Sequence, residues 1–166
     1  MKIVLIGFMG SGKTAISQEL GKQLNLPTID MDDLIEQKAG MTTPEIFDKF
    51  GEKRFRELET EVAKELGKKS NIIIATGGGV IVNGINVKYL RNNGGKIIYL
   101  QTTFDEITKR VQKHNRPRPL FASLDKAKKL FILRLEKYKN FSDFIVTTDN
   151  KNVSAISDEI INNIRI

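Results

Sequence analysis

Eight consecutive residues near the N-terminus have the types and spacing of a phosphate-binding loop. Gly7–Thr14 fits the pattern G-x-x-x-x-G-K-[ST] at every position. Glycines let the backbone curl so that successive N–H groups face a phosphate, and the following helix N-terminus adds positive partial charge. In such loops the lysine reaches the β- and γ-phosphates, and the threonine hydroxyl binds Mg²⁺. The predicted nucleotide-binding residues, with Lys13 also catalytic and Thr14 also a metal ligand, are Gly10, Ser11, Gly12, Lys13, Thr14 and Ala15.

Other classes of phosphate-loop protein require motifs that this sequence lacks. A GTPase needs Asp-x-x-Gly at a strand end, and Asp48–Gly51 fits that string but lies inside a helical pattern. A GTPase also needs Asn-Lys-x-Asp to read the base, whereas Asn150–Val153 ends in valine. The apolar run 72–75 leads into Thr76 and a triple glycine, without the Asp-Glu pair of a motor-type ATPase. The remaining class is a small kinase.

Two carboxylates, Asp30 and Asp32, lie at the end of the short run 27–30 and just after it. Asp30 and Asp32 are two residues apart, and residues i and i+2 of a strand share one face, so this spacing predicts that both point to one site. Neighbouring carboxylates repel, so a cation or a hydrogen-bond donor must compensate them. The alternative is that Asp30, Asp32 or Asp33 caps the helix that starts near Leu34.

Arginines supply a second candidate chemistry, the binding of small anions. Arg56 and Arg134 lie in helical patterns, and a planar guanidinium suits bidentate pairing with a carboxylate. The alternative for Arg56 is a surface ion pair with Glu52 or Glu59. The stretch Arg116–Pro119 is basic and irregular, which suits either a lid over a phosphate or a solvated loop.

These residues need elements that bring them together, and the apolar patterns predict such elements. Strands are expected at the apolar runs 2–6, 27–30, 72–75, 97–100 and 144–147. Helices are expected at about 13–25, 44–67, 84–93, 104–113, 125–140 and 153–164. Alternating strands and helices predict a three-layer α/β/α fold with a central five-stranded parallel sheet. Ligands of such sheets bind beyond the carboxyl ends of the strands.

Composition narrows the class of protein further. A chain of 166 residues predicts one domain, residues 1–166. The absence of cysteine excludes disulfides, thiolate metal sites and cysteine nucleophiles, and a single histidine disfavours a Ser-His-Asp triad. The net charge of +7 fits nucleic acid, an anionic membrane surface or small acidic substrates. The charges are spread along the chain without a nucleic-acid motif, so we expect no nucleic-acid partner. No apolar run approaches a bilayer span, so we expect a soluble protein without membrane contact. The absence of cysteine suits the cytoplasm, and we expect a cytoplasmic monomer.

In their order and spacing, these motifs resemble those of the shikimate kinases, relatives of the nucleoside monophosphate kinases. The matching pieces are Gly7–Thr14, Asp30–Glu36 (D-x-D-x-x-I-E), Glu45–Phe47, Gly51–Glu59, Thr76–Gly79, Arg118–Leu120, and Arg134 with Tyr138. The resemblance implies phosphorylation of the 3-hydroxyl of shikimate by ATP, on the route to chorismate and the aromatic amino acids. It also implies substrate-binding helices at about 31–62 and a mobile lid at about 110–122.

The resemblance implies a role for each matching residue. Asp30 would hold Mg²⁺ with Thr14, and Asp32 would bind the shikimate hydroxyls and act as candidate base. The residues implied to bind the shikimate carboxylate and ring are Asp32, Arg56, Gly77, Gly78, Gly79 and Arg134. Arg118 would move from the lid onto the transferring phosphate, and Arg116, on the other side of Pro117, is an alternative for that role. On the ATP side, Arg110 would cover the adenine, and the Asn150–Val153 segment with Lys151 would line its pocket.

Two alternatives stay open at this point. The acceptor of the phosphoryl group is shikimate, another polyol acid such as gluconate, or a nucleotide. A binding or regulatory protein that has lost turnover is the second alternative, and the presence of Lys13, Thr14, Asp32 and Arg118 argues against it.

Overall fold

A five-stranded parallel sheet forms the centre of the computed structural model, which describes residues 1–113 and 119–164. The strands are β1 (Lys2–Ile6), β2 (Thr28–Asp30), β3 (Ile72–Ala75), β4 (Gly95–Gln101) and β5 (Phe144–Thr147). The helices are α1 (Lys13–Leu24), α2 (Met31–Ala39), α3 (Thr43–Gly67), α4 (Gly84–Arg91), α5 (Phe104–Lys113), α6 (Leu124–Phe141) and α7 (Val153–Ile164). The strand order is β2-β3-β1-β4-β5, with every pairing parallel.

The continuous apolar run of β1 is buried on both faces of the sheet. Ile3 and Leu5 pack in one core with apolar residues of α1 and α7. Val4 and Ile6 point the other way, into a larger core with residues of α2, α3, α4 and α6. This alternation follows from the two-residue period of a strand, and it requires helices on both faces. The predicted three-layer α/β/α class is therefore confirmed.

Because every strand runs in the same direction, the loops that leave the strands meet at one edge of the sheet, the carboxyl edge. The segment after β1 is the phosphate loop, and the segment after β3 is the turn Thr76–Gly79. Thr76 joins the two, since its hydroxyl and its N–H both donate to the Leu5 carbonyl, at 2.9 and 3.2 Å. The opposite, amino edge receives the C-termini of α3 and α4.

Helix boundaries differ from the predictions at two places that matter for the site. The helix expected near Leu34 begins at Met31, directly after β2, so Asp32 lies in a helix. The helix expected to run unbroken over 44–67 changes direction at Gly51, whose backbone is non-helical with φ 80° and ψ 172°. A glycine adopts that conformation without the strain of a Cβ, and the helical spacing of the flanking phenylalanines concealed the break. Within the described residues, no helix is both long and apolar enough to cross a bilayer.

Candidate functional site

The phosphate loop between β1 and α1 is curled tightly against α5. Gly10 and Gly12 have φ of +82° and +94°, a backbone conformation that residues with a Cβ rarely adopt. A Cβ on Gly10 would also lie only 3.1 Å from the side chains of Ile107 and Val111 on α5. Ser11 is fully buried, and Ala15 is exposed in the first turn of α1. The loop thus has the backbone curl that the motif predicts.

Lys13 is the buried cation of this loop. Its Nζ donates to the carbonyls of Gly7 and Phe8 at 2.7 and 3.0 Å, and to the Ser11 hydroxyl at 3.4 Å. An ammonium has three donors and no acceptor, so these bonds hold it across the mouth of the loop. Its charge also lowers the pKa of Asp32, which places the two side chains within electrostatic reach.

An aromatic cluster anchors the loop from below. Phe8, the second residue of the motif, is buried and meets Phe131 of α6 edge to face at 5.3 Å between ring centroids. Phe121, in the short 3₁₀ turn that follows the undescribed residues, contacts Phe8 at 6.5 Å and stacks on Phe104 at 6.4 Å. The position of the phosphate loop is therefore tied to α5, α6 and the turn at 119–122.

Asp30 links the phosphate loop to α2. Its Oδ2 accepts a hydrogen bond from the Thr14 hydroxyl at 2.8 Å, and its Oδ1 accepts from the Asp32 N–H at 3.0 Å as the helix N-cap. The prediction that Asp30 and Asp32 share a strand face is wrong, because β2 ends at Asp30. The capping alternative is correct for Asp30, although capping uses only one of its two oxygens.

The oxygens of Thr14 and Asp30 fit the cation that phosphate loops use. Mg²⁺ takes hard oxygen ligands and is commonly held by one or two carboxylates together with substrate phosphates and water. Residues 1–113 and 119–164 contain no cluster of three or more acidic, histidine or cysteine side chains able to hold a metal by themselves. A hydroxyl and a carboxylate already in contact therefore suit Mg²⁺ brought with a nucleotide.

Asp32 carries the most perturbed carboxylate at the carboxyl edge. Burial first, and then the charge of Asp30, raise its pKa to about 6 against the opposing effect of Lys13. Its Oδ1 is buried without a hydrogen-bond partner among the described residues. A Cβ on Gly77 would lie 2.6 Å from that oxygen, so only glycine leaves room for the carboxylate to approach the turn.

Arg56 forms ion pairs with Glu52 and Glu59, which the sequence offered as its alternative role. The pair with Glu59 is buried rather than at the surface. Arg56 Nη1 donates to both oxygens of Glu59 at 3.1 and 3.0 Å, and Nη2 donates to Glu52 at 3.4 Å. Glu59 is only 1% exposed. Burial raises the pKa of Glu59, with Arg56 acting in the opposite direction. From the sequence, Glu59 was expected only as a surface partner of Arg56, although its position one turn after Arg56 was a usable signal for a place in the site.

The triple glycine lies between the phosphate loop and the arginines. A Cβ on Gly79 would overlap the Arg56 guanidinium, and one on Gly78 would lie 3.3 Å from the Met9 N–H nitrogen of the phosphate loop. Gly77 faces Asp32, as described above. Each position of the turn is therefore glycine because a neighbouring group leaves too little room for a Cβ: Asp32 at Gly77, Met9 at Gly78 and Arg56 at Gly79.

Arg134 reaches the same pocket from α6. It is buried, and its charge acts on Glu59 together with those of Arg56 and Asp32. The Nε atoms of Arg56 and Arg134 are both buried without a partner among the described residues. Two guanidiniums with unused donors beside a glycine turn form a site for a small anion such as a carboxylate.

The predicted nucleotide residues beyond the loop occupy a second group of contacts. Arg110 of α5 donates to the Ser11 carbonyl at 3.3 Å and to the Thr148 hydroxyl and carbonyl at 3.2 and 3.1 Å. It therefore joins the phosphate loop to the segment after β5. Lys151 lies in that segment, where its ammonium pairs with Glu159 at 2.6 Å. Arg118 and its alternative Arg116 lie outside the described residues.

Comparisons with known proteins agree with this geometry. The family model for shikimate kinase matches residues 9–165. The shikimate kinase of Caldicellulosiruptor bescii is 42% identical over 162 residues, 96% of this chain and 92% of that protein. The shikimate kinase of Enterococcus faecalis is 37% identical over 168 residues, 98% of each chain.

Solved structures give the same answer for the fold. The shikimate kinase from Acinetobacter baumannii, solved in complex with shikimate, superposes with a TM-score of 0.90 at 31% identity, covering 99% of this chain and 92% of that one. The shikimate kinase from Aquifex aeolicus has a TM-score of 0.83 at 34% identity, with 99% and 96% covered. The resemblance drawn from the motifs is confirmed. The chain belongs to the shikimate kinase family, the enzymes that phosphorylate shikimate with ATP as donor.

Proposed function

We propose that the γ-phosphoryl group of ATP passes to the 3-hydroxyl of shikimate at the carboxyl edge, between the phosphate loop and the pocket of Asp32, Arg56 and Arg134. One observation carries the proposal. The half-buried carboxylate of Asp32, whose Oδ1 is buried without a partner among the described residues, lies against the glycine turn and within electrostatic reach of Lys13. A group in that position contacts an acceptor hydroxyl on one side and faces the phosphate site on the other.

Asp32 orients the acceptor hydroxyl and takes its proton. The hydroxyl oxygen forms a bond to the γ-phosphorus while the bond to the β–γ bridging oxygen breaks, so ADP leaves with that electron pair. The proton passes to the Asp32 carboxylate. A pKa of about 6 leaves Asp32 ionised at neutral pH and makes it a better proton acceptor than an ordinary aspartate.

Charge on the transferring group is met by cations of this chain. Lys13 is held at the mouth of the loop, within reach of the β- and γ-phosphates. Arg118 from the proposed lid at 110–122, with Arg116 as its alternative, supplies a further positive charge as the lid closes and excludes water. Thr14 and Asp30, directly or through water, are the residues that would hold Mg²⁺, which neutralises charge on the β- and γ-phosphates.

The acceptor is recognised by its carboxylate and its hydroxyls. Arg56 and Arg134 bind the carboxylate with their unused donors, and Gly78 and Gly79 contribute backbone N–H groups. Glu59 holds the Arg56 guanidinium in place, because a buried carboxylate at 3.0 Å fixes its plane. Asp32 and Gly77 contact the ring hydroxyls.

The ATP base is assigned to the far side of the phosphate loop. Arg110 covers the adenine, and the Asn150–Val153 segment with Lys151 lines its pocket, which is supported by the bonds of Arg110 to Ser11 and Thr148. We further propose that the chain acts as a single-domain monomer in the cytoplasm, a compartment that suits a protein without cysteine.

The experiment is an assay of ADP release with ATP and Mg²⁺, run with shikimate, quinate and gluconate in parallel. Stimulation by shikimate well above the other two is expected, together with mass-spectrometric detection of the 3-phosphate. Equal stimulation by gluconate would contradict the assignment of Arg56, Arg134 and Asp32 as a shikimate pocket. ATP binding without turnover on any acid would favour the regulatory alternative.

A further inference from the structure

Tyr138 of α6 is buried at the point where α6 meets the triple glycine. Its hydroxyl donates to the Gly78 carbonyl at 2.6 Å. Its ring stacks on that of Tyr99 from β4, at 5.1 Å between centroids and 18° between planes. The ring is therefore held from one side, and its single polar atom is aimed at the backbone of the turn.

The bond to Gly78 sets the direction of the next N–H. A trans peptide is planar, and its C=O and the following N–H point in opposite directions. A donor that holds the Gly78 carbonyl therefore turns the Gly79 N–H away from Tyr138. The Gly79 N–H is one of the groups to which the proposed function gives the acceptor carboxylate.

Arg134 lies one helical turn before Tyr138 on the same face of α6. Both side chains are buried, and the charge of Arg134 acts on the Tyr138 phenol. Burial raises the pKa of Tyr138 far above its usual value, so the phenol keeps its proton at every working pH. The Tyr138 hydroxyl thus bonds to a peptide that has the same proposed ligand as the neighbouring Arg134.

We infer that Tyr138 is a positioning residue for the acceptor carboxylate, orienting the Gly78–Gly79 peptide through its hydroxyl. The inference rests on the proposed function, because it assigns a supporting role within that pocket. Tyr138 itself touches neither substrate. Its loss should weaken binding of the acid equally in the ground state and the transition state, which raises KM and leaves kcat nearly constant.

The test replaces Tyr138 by phenylalanine, which removes one oxygen and keeps the ring. The Gly78 carbonyl loses its hydrogen bond and the Gly78–Gly79 peptide is freed to turn, so Tyr138→Phe should raise the KM for shikimate about tenfold, with the KM for ATP and kcat changed by less than about twofold. Tyr99→Phe is the matched control, since it removes a hydroxyl from the other ring of the same stack. Tyr99→Phe should leave all three constants near the wild-type values.

The outcomes separate the two proposals. An active wild type with Tyr138→Phe indistinguishable from Tyr99→Phe overturns the role of Tyr138 alone. A parallel rise in both KM values also overturns it, since that pattern marks general disorder. A wild type inactive on shikimate overturns the proposed function, and the role of Tyr138 falls with it.

A measurement on the wild type covers the case in which Tyr138→Phe does not fold. In protein labelled with ¹⁵N-glycine, saturating shikimate should shift the Gly79 amide resonance. The buried Tyr138 hydroxyl proton should exchange slowly and show a cross-peak to the residues of the glycine turn. A Gly79 amide that does not move with shikimate, or a rapidly exchanging phenol proton, overturns the inference.

Discussion

The two edges of the sheet each bury a lysine, and the two lysines have different surroundings. At the amino edge, Lys2 is 1% exposed and donates to the carbonyls of Gly67 and Asn92 at 2.9 and 2.7 Å. At the carboxyl edge, Lys13 is 9% exposed and also donates to backbone carbonyls. Burial and hydrogen bonding alone therefore do not distinguish a structural cation from a functional one.

The direction of the helices accounts for the difference. In a parallel α/β fold each helix ends at the amino edge, where its last carbonyls need donors and favour a positive charge. Lys2 meets that need, because Gly67 closes α3 and Asn92 follows α4. Helices begin at the carboxyl edge, where positive partial charge favours an anion instead. Lys13 is thus a cation placed where a phosphate is the natural partner.

Unpaired polar atoms are a further feature of the carboxyl edge. Three of the five buried side-chain polar atoms that lack a partner within the described residues lie there: Asp32 Oδ1, Arg56 Nε and Arg134 Nε. The carboxyl edge also contains two carboxylates, Asp32 and Glu59, whose pKa values are raised mainly by burial. Unpaired buried groups cost stability, so a pocket of this kind is kept for what it binds. The comparison predicts that substitutions at the carboxyl edge lower activity and that substitutions at the amino edge lower stability.

The largest effect is expected for Lys13→Ala. The variant removes the cation that meets the β- and γ-phosphates, so kcat should fall about 10²–10³-fold. The positive φ of Gly10 and Gly12 sets the backbone curl of the loop, so the fold should survive the loss of the bonds from Lys13 to the Gly7 and Phe8 carbonyls. The measurement is kcat for shikimate phosphorylation, with circular dichroism to establish folding. A folded Lys13→Ala protein with normal kcat would contradict the assignment of the phosphate loop.

The next effect is expected for Arg56→Ala, which separates the two substrates. The KM for shikimate should rise about 10–100-fold, while the KM for ATP changes by less than about threefold. The reason is that, of the two substrates, only shikimate contacts this guanidinium in the proposed site. Arg54→Ala is the control, since Arg54 lies two residues away and forms exposed pairs with Glu57 and Glu61. Such pairs contribute little, so Arg54→Ala should behave as wild type. An equal rise in both KM values for Arg56→Ala would mean a structural role.

The amino edge provides the converse variant, Lys2→Met. Methionine fills similar volume but leaves the Gly67 and Asn92 carbonyls without their charged donor, so the free energy of unfolding should fall by about 2–3 kcal/mol. Activity per folded molecule should remain that of wild type. Urea unfolding and active-site titration measure the two quantities. Lys22→Met, at an exposed position of α1, controls for the loss of charge and should change stability by less than about 0.5 kcal/mol. A Lys2→Met protein with lowered kcat but full stability would contradict the assignment of Lys2 to stability rather than to activity.

The sequence correctly predicted the features that follow from a local pattern of residues. It did not predict which polar side chains are buried by segments distant in the chain. Gly7–Thr14 and the continuous apolar runs correctly predicted the loop and all five strands. The spacing of Arg56 and Glu59 indicated their pairing but not that Glu59 is buried beside the glycine turn. Lys2 was assigned only as the first residue of a strand. Its bonds to the helix ends could not be inferred, because its partners, Gly67 and Asn92, are 65 and 90 residues away in the chain. Asp32 was expected to share a strand face with Asp30, although the N-cap role that Asp30 plays for α2 was the alternative offered by the sequence.

The smallest effect, and the sharpest test of the comparison, concerns the stability of Asp32→Asn. The pKa of Asp32 is about 6 in the folded protein, against 3.8 for the free side chain. Ionisation is therefore harder in the folded state, and wild type loses stability as the pH rises from about 4 through 6. Asparagine does not ionise, so Asp32→Asn should be inactive yet more stable than wild type by about 1–3 kcal/mol above pH 7. The gap should close as the pH falls to 4.

Urea unfolding of both proteins between pH 4 and 8 measures this gap. Asp33→Asn is the control, because it removes the same charge from an exposed position in the same helical turn. An acidic group in the first turn of a helix is favourable, so Asp33→Asn should be slightly less stable than wild type at every pH above 5. Equal behaviour of the two variants would mean that net charge, not the buried position of Asp32, sets the pH dependence. A less stable Asp32→Asn at pH 8 would show that the carboxylate stabilises the carboxyl edge, and the contrast with Lys2 would then disappear.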